Sequence, residues 1–286
     1  MGKLIFGTAY DGMLRFSAID SLDIVNELRE RHKLSYLPTV VLGRLVTAGS
    51  LVIPWLSEKE VITFVISSSG PAGSVVSQAS GNGTVRGYIT NTQFELEPNL
   101  IGKFDVKSAI GNGNLTVVRD VGLKTPYISK VPIVSGEIAE DVAYYYTKSE
   151  QIPSAFALGV LMDSTGVISA GGLAIQILDR NLPQHVIEQI ESNLRNFSIT
   201  SSLKSNTLEE IISFVLNATD LMFEEMNVIF KCNCSREKAY ESLKVLDIDD
   251  IYELIAEGKA EITCKWCNSV YIFEKEELQK TLDKKK

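Results

Sequence analysis

The chain carries four cysteines, and all of them fall in its last fifth: Cys232, Cys234, Cys264 and Cys267. The first 231 residues contain none. The pattern is C-N-C, then 29 intervening residues, then C-K-W-C. Two close pairs separated by a module-sized loop assemble a tetrahedral Cys₄ zinc site. A secreted disulfide scaffold would be shorter and would spread its cysteines along the chain. The segment from about Asn227 to Lys286 is too small to rest on an apolar core alone. A structural Zn²⁺ would supply the missing cross-link, contributing about 10–16 kcal/mol of apparent binding free energy at neutral pH.

The length of 286 residues corresponds to roughly two domains. Hydrophobic residues at 45% and charged residues at 22% exclude wholesale disorder. A net charge of −8 argues against a surface built to grip nucleic acid and favours solubility. The N-terminus lacks an apolar h-region and a small-residue cleavage site, so it does not read as a signal peptide. Leu37 to Leu56 is long and apolar, but it contains Arg44, Pro38, Pro54, Thr47 and Ser50. It therefore reads as a buried helix of a cytoplasmic protein without a membrane partner.

Ahead of the cysteines the pattern is mixed. Leu4–Ala9 and Met13–Ile19 read as strands joined at Asp11-Gly12. Asp20-Ser21 can cap a helix to His32, and Ser35 precedes a second helix to about Leu51. Val61–Ser67 is an apolar, β-branched run. A hairpin at Asn82-Gly83 joins Ser74–Ala79 to Thr84–Thr90, and Leu115–Arg119 pairs with Tyr127–Val134. A helix begins after Ser135 and reaches Ser149; two long strands follow, Ala155–Met162 and Val167–Leu178. Hairpins followed by helices indicate an α+β fold rather than a doubly wound sheet.

Beyond Leu178 the pattern changes. Pro183 opens an amphipathic helix, Leu194–Asn206 is Ser/Asn-rich and reads as a linker, and Thr207 with Glu210 caps another helix. Such short helices need a surface to dock on. Helices are expected in the last module at Glu237–Val245 and Asp249–Glu257. The resulting division is an α+β domain with a mixed sheet over 1–178, a helical linker over 179–228 and a small zinc-binding domain over 229–286.

Other motifs point to bland roles. Gly70-Pro71-Ala72-Gly73, Gly81-Asn82-Gly83 and Gly111-Asn112-Gly113 do not fit a dinucleotide or P-loop frame and read as turns. Ser67-Ser68-Ser69-Gly70 has no nucleophile-elbow frame, and His32 and His185 are the only histidines to serve it. The acids Glu137, Glu140, Asp141 and Glu150 could do acid–base work, but acids also suit a helix N-terminus. Tyr144-Tyr145-Tyr146 is expected to pack partly into the core, and Trp266 to shield the sulfurs. From Ile229 to Lys286 there are 11 Lys and Arg against 12 Asp and Glu, and a Cys₄ zinc site adds negative charge. Phosphate binding wants a clearly basic face. No nucleic-acid partner and no enzymatic activity are expected.

The spacing also permits redox chemistry. Each close pair could in principle close a local disulfide with modest backbone adjustment, and zinc thiolates are the oxidisable form. Two tiny disulfide loops would remove little unfolded-state entropy, so they could not replace the metal cross-link. Spacing alone leaves both a purely structural zinc site and a redox switch open.

Several ordered motifs resemble those of the heat shock protein 33 family, the redox-regulated 33 kDa chaperonins. They are Thr8-Ala9-Tyr10-Asp11-Gly12 with Arg15, Leu42-Gly43-Arg44, Gly70-Pro71-Ala72-Gly73 and Gly83-Thr84-Val85-Arg86-Gly87-Tyr88. Further along come Val134–Asp141, Ser149-Glu150-Gln151-Ile152-Pro153-Ser154-Ala155, Ala170-Gly171-Gly172, Cys232-Asn233-Cys234-Ser235 and Cys264-Lys265-Trp266-Cys267. The resemblance implies an ATP-independent holdase that binds unfolding proteins under oxidative stress. It implies Zn²⁺ on Cys232, Cys234, Cys264 and Cys267 in an inactive reduced form. It implies activation by disulfides Cys232–Cys234 and Cys264–Cys267 with zinc release. The linker, about Pro183 to Phe230, would then unfold, and the active form is often a homodimer. The alternatives are a zinc-stabilised interaction protein without redox control and an enzyme using the Gly/Ser/acidic surface.

Overall fold

The computed structural model describes residues 1–283. They form two compact units, Met1–Lys231 and a second beginning at Cys232.

The first unit opens with the hairpin β1 (Gly2–Ala9) and β2 (Leu14–Asp20), followed by α1 (Leu22–His32) and α2 (Tyr36–Leu51). The Asp20 carboxylate and the Ser21 hydroxyl near the start of α1 divide their work. Leu22 N–H donates to Asp20 Oδ1 at 3.0 Å, while Ser21 Oγ is drawn 2.7 Å from Thr47 Oγ1 inside the core. Asp20 therefore caps the helix and Ser21 fastens it to α2. The segment Tyr36–Trp55 is long and apolar enough to cross a membrane, yet 89% of its apolar window is buried inside the protein. It is the central core helix.

A meander follows: β3 (Val61–Ser68), β4 (Ser74–Ser80), β5 (Thr84–Ile89), the short α3 (Val106–Ile110), β6 (Gly113–Asp120) and β7 (Tyr127–Pro132). Then come α4 (Ala139–Ser149), β8 (Ser154–Asp163), β9 (Gly166–Ile177), α5 (Gln184–Arg195), α6 (Ile199–Ser202), α7 (Leu208–Leu216) and β10 (Met222–Phe230). All ten strands belong to one sheet in the order β7-β6-β3-β4-β5-β10-β1-β2-β9-β8. Helices beside a largely antiparallel sheet give the expected α+β class.

Like α3 and, in the second unit, the strands Lys259–Thr263 and Val270–Glu274 and the helix Lys275–Asp283, strand β10 is not announced by the sequence pattern, and it is the longest such strand. It pairs antiparallel with β1, from Gly2↔Val228 to Thr8↔Met222, and parallel with β5 at Ile229↔Thr84 and Phe230↔Val85. It thereby joins two halves of the sheet that otherwise share no strand pairing. Met226, Val228 and Phe230 alternate onto the main core. Gly7 permits the approach: a Cβ there would lie 1.8 Å from Met222 O.

Helices α5 and α7 cover the opposite face of the sheet. Leu182, Val186, Ile190, Leu208, Ile212 and Val215 bury against Ile5, Leu14, Phe16, Leu173 and Ile175. The Thr207–Glu210 capping box forms as expected, with Glu210 N–H donating to Thr207 Oγ1 at 3.2 Å and Thr207 N–H to Glu210 Oε2 at 2.8 Å. The expected linker at Leu194–Asn206 instead contains α6, whose Ile199 is buried. Its Thr200 sits where a Cβ on Gly159 would fall 2.7 Å away, so a glycine in β8 admits the turn. The segment 179–228 thus packs within the first unit.

The second unit contains α8 (Arg236–Leu243), α9 (Ile248–Glu257), the hairpin β11 (Lys259–Thr263) with β12 (Val270–Glu274), and α10 (Lys275–Asp283). Among the described residues its main buried cluster is small, Ala239, Leu243, Ala260, Phe273 and Leu278, with Ile251 and Leu282 also buried.

Candidate metal centre

The hairpin β11–β12 positions one cysteine pair. Its register runs from Lys259↔Glu274 to Thr263↔Val270, so Cys264 and Cys267 occupy the connecting turn. Cys264 N–H donates to Ser269 O at 2.9 Å and Asn268 N–H to Cys264 O at 2.8 Å. Asn268 takes the left-handed conformation that closes such a turn, at φ +59°. The other pair lies just before α8. Ser235 caps that helix by accepting from Lys238 N–H at 3.3 Å, and Lys238 Nζ donates to Asn233 O at 2.6 Å. The Arg236 guanidinium lies 4.4 Å over the Phe273 ring and pairs with Glu277 at 2.7 Å. These contacts hold the N-terminus of α8, and the cysteines before it, against β12 and α10.

The four sulfurs converge. Cys232 Sγ lies 3.7 Å from Cys264 Sγ, and Cys234 Sγ lies 3.3 Å from Cys267 Sγ. All four lie within 4.8 Å of one another. Tetrahedral ligation with Zn–S bonds of about 2.3 Å needs sulfurs about 3.8 Å apart, so the donor set and its spacing fit zinc.

The metal-free electrostatics show why a cation suits the cluster. Burial pushes the Cys232 thiol up to about 12, and burial also raises Cys264. Burial works against ionisation of Cys267 too, but hydrogen bonds from the Ser269 side chain and backbone bring it down to about 7. Tyr271 Oη donates to Cys234 Sγ at 3.1 Å, and this bond pushes the phenol up to about 12. Thiols packed this closely resist ionising together, whereas a divalent ion among them deprotonates its ligands outright. Ser269 and Tyr271 are outer partners that motif spacing did not single out. Their signal is positional, two and four residues beyond the last cysteine on the same hairpin. Trp266 is half-buried, and its backbone N–H bonds toward Cys264.

Three of the four candidate acids have structural partners. Asp141 is fully buried and accepts N–H bonds from Val134, Ser135, Gly136 and Ile138 at 2.8–3.1 Å. Glu137 pairs with Arg44 at 2.8 Å, and Glu150 pairs with Arg119 at 3.1 Å and accepts from Tyr145 Oη at 2.6 Å. Tyr145 and Tyr146 are buried, as expected of the tyrosine run. His32 is buried and His185 exposed, on different helices.

Comparison with known proteins decides the family. The Hsp33 protein family matches residues 2–274. The chain belongs to the Hsp33 family. Among Hsp33 relatives, the 33 kDa chaperonin of Thermotoga maritima is 49% identical over 280 residues, covering 98% of this chain and 97% of its own. That of Clostridium perfringens is 43% identical over 296 residues, covering 99% and 92%. The crystal structure of the Thermotoga maritima 33 kDa chaperonin, a heat shock protein 33 homologue, superposes with a TM-score of 0.97 at 48% identity. That match covers 99% of this chain and 98% of the other. Membership of the Hsp33 family supports a chaperone function for this chain.

Proposed function

We propose that this chain is an ATP-independent holdase switched on by oxidation of a Cys₄ zinc centre. The observation that carries the reading is the convergence of Cys232, Cys234, Cys264 and Cys267 in a unit whose buried apolar cluster is very small. Zinc on these thiolates would hold the unit folded. Oxidation to Cys232–Cys234 and Cys264–Cys267 disulfides would release the metal and leave only short loops, which stabilise little. Cys232 stands two residues after the end of β10, so unfolding of the unit frees the chain immediately beyond that strand. The segment 179–228 is the region whose release would expose the apolar face formed by Ile5, Leu14, Phe16, Leu173 and Ile175 to unfolding clients. The active form is a homodimer, and the working compartment is the cytoplasm.

The test is light scattering of a chemically unfolded client diluted into buffer without ATP. The reduced, zinc-loaded protein is compared with the same protein after warm peroxide treatment. Suppression by the oxidised sample alone is expected. Equal behaviour of the two samples would reduce the zinc centre to a structural role. Replacing Cys232 or Cys264 with Ser should release zinc and make residues 179–228 protease-sensitive under reduction. An unchanged digestion pattern would break the proposed coupling.

A further inference from the structure

The segment Ser149–Ala155 is not used by the metal centre. Glu150 and Ser154 have structural work: Glu150 pairs with Arg119 and Tyr145, and Ser154 Oγ accepts from Gln176 Nε2 at 3.0 Å. Gln151, Ile152, Pro153, Ser154 and Ala155 also line a cavity of about 560 Å³ between α5 and the β8–β9 end of the sheet. Its other walls are Leu14, Ile175, Ile177, Ile187, Ile190 and Leu194. Gln151 stands at the rim in a left-handed conformation, φ +58°, which an L side chain adopts at a cost. The volume lies in the range of ligand-binding clefts. Arg180, Asp179 and Glu191 complete the rim with donors and acceptors of both signs.

The cavity opens beside the start of β8, the last strand of the sheet. Alternate residues of an edge strand turn their N–H and C=O groups outward without partners. Natural edges are usually blunted by charges, prolines or bulges. The opposite edge, β7, contains Lys130 and Pro132. Strand β8 has no charged residue and no proline from Ser154 to Met162, and its irregularity lies at the far end, between Leu161 and Met162. Toward α5 and α6 it presents the small residues Ala155, Ala157 and Gly159. A long, uncharged edge leading into an apolar cavity is the arrangement that strand addition uses: backbone bonds supply affinity and a pocket selects a side chain.

We propose that β8 and this cavity bind an extended, uncharged segment of a client polypeptide, added as an eleventh strand with one large apolar side chain in the cavity. This rests on the holdase reading and names a binding site for it. An uncharged partner matches the uncharged edge. The mixed rim of Gln151, Asp179, Arg180 and Glu191 suits peptide groups, which both donate and accept. Release of 179–228 would remove the wall and rim contributed by α5, Asp179 and Arg180, and would uncover Leu14, Ala155, Ile175 and Ile177 as an open apolar seat for the same side chain, with β8, β9 and residues 151–155 still in place.

The test uses the full-length chain, zinc-loaded and peroxide-treated. The probe is a short fluorescein-labelled peptide of alternating valine and threonine with one central phenylalanine. A second probe is the same peptide N-methylated at alternate backbone nitrogens, on the edge that would meet β8. Saturable anisotropy is expected with the first peptide, tighter in the oxidised form, and weakened about tenfold or more by N-methylation. Hydrogen exchange should slow in residues 154–162 and stay unchanged in 127–132 when the peptide binds. Ala155→Phe, which fills the cavity, should weaken the unmethylated peptide. Equal binding of both peptides, no saturable binding, or protection outside β8 would overturn the site. Light scattering separates the readings: a holdase that suppresses aggregation but binds both peptides equally keeps its function and loses this site.

Discussion

Phe273 tests whether the metal centre and the fold of its unit are one thermodynamic system. Its side chain is fully buried, 5.8 Å from the Tyr240 ring and 4.4 Å beneath the Arg236 guanidinium. Phe273→Ala deletes the largest member of a five-residue buried cluster without touching a sulfur. Truncations of this kind cost about 3–5 kcal/mol. The second unit spans 55 residues from Cys232, and a domain of that size is stable by only ~3–8 kcal/mol. If the metal-free unit is unfolded, zinc binding and folding share one free energy. The truncation then appears almost entirely as lost zinc affinity. At about 1.4 kcal/mol per decade, the apparent affinity should fall roughly 10²- to 10⁴-fold. Competition against a chromophoric chelator measures this directly. In a Trp55→Phe background, Trp266 is the only tryptophan and reports folding of the unit during the same titration. An affinity within about threefold of wild type would refute the reasoning. It would mean that the four thiols bind metal as a local loop, independent of the module's core.

Three further outcomes follow from the first unit. Gly7→Ala places a methyl 1.8 Å from Met222 O and should detach β10 from β1, costing about 1–3 kcal/mol or more; limited proteolysis should begin cutting within 222–230. An intact segment in the variant would show that the pairing tolerates the methyl. Asp141→Ala strips four backbone N–H groups of their acceptor and frees Ile138 from its left-handed conformation, φ +67°. A loss of about 2–4 kcal/mol in urea unfolding is expected; a change below about 1 kcal/mol would assign the clamp no weight. Tyr145 and Tyr146 titrate above the usual tyrosine range, mainly because burial disfavours the phenolate. A folded-state value above the unfolded one contributes stability that is complete below pH ~10 and lost as pH rises beyond it. Ultraviolet titration should therefore show these two phenols ionising together with unfolding of the sheet, not before it.

The cysteine cluster was legible in the sequence because its spacing is local. Each close cysteine pair sits on one short segment, and only the distance between the pairs is long-range. The hairpins at Asp11-Gly12 and Asn82-Gly83, the core helix containing Arg44 and the Thr207–Glu210 cap were equally legible, because their signals lie within a few residues. Ser269 and Tyr271 were not, since a serine or tyrosine acquires a thiolate partner only when the hairpin folds beside the other cysteine pair. Asp20 and Ser21 looked interchangeable as caps until α2 placed Thr47 beside one of them. Strand β10 was the largest omission. Met222–Phe230 contains Glu224 and Glu225, and most of its side chains are exposed. Nothing in its own composition demands a strand. It becomes one because β1 and β5 offer unpaired backbone on either side and Gly7 lets it approach. Residue types and spacing thus determined the hairpins at Asp11-Gly12 and Asn82-Gly83, the buried helices and the candidate ligand set, but not the β11–β12 hairpin. Tertiary structure decided which distant segment completes the sheet, because strand pairing is made with backbone groups that every residue carries and that no local pattern assigns to a partner.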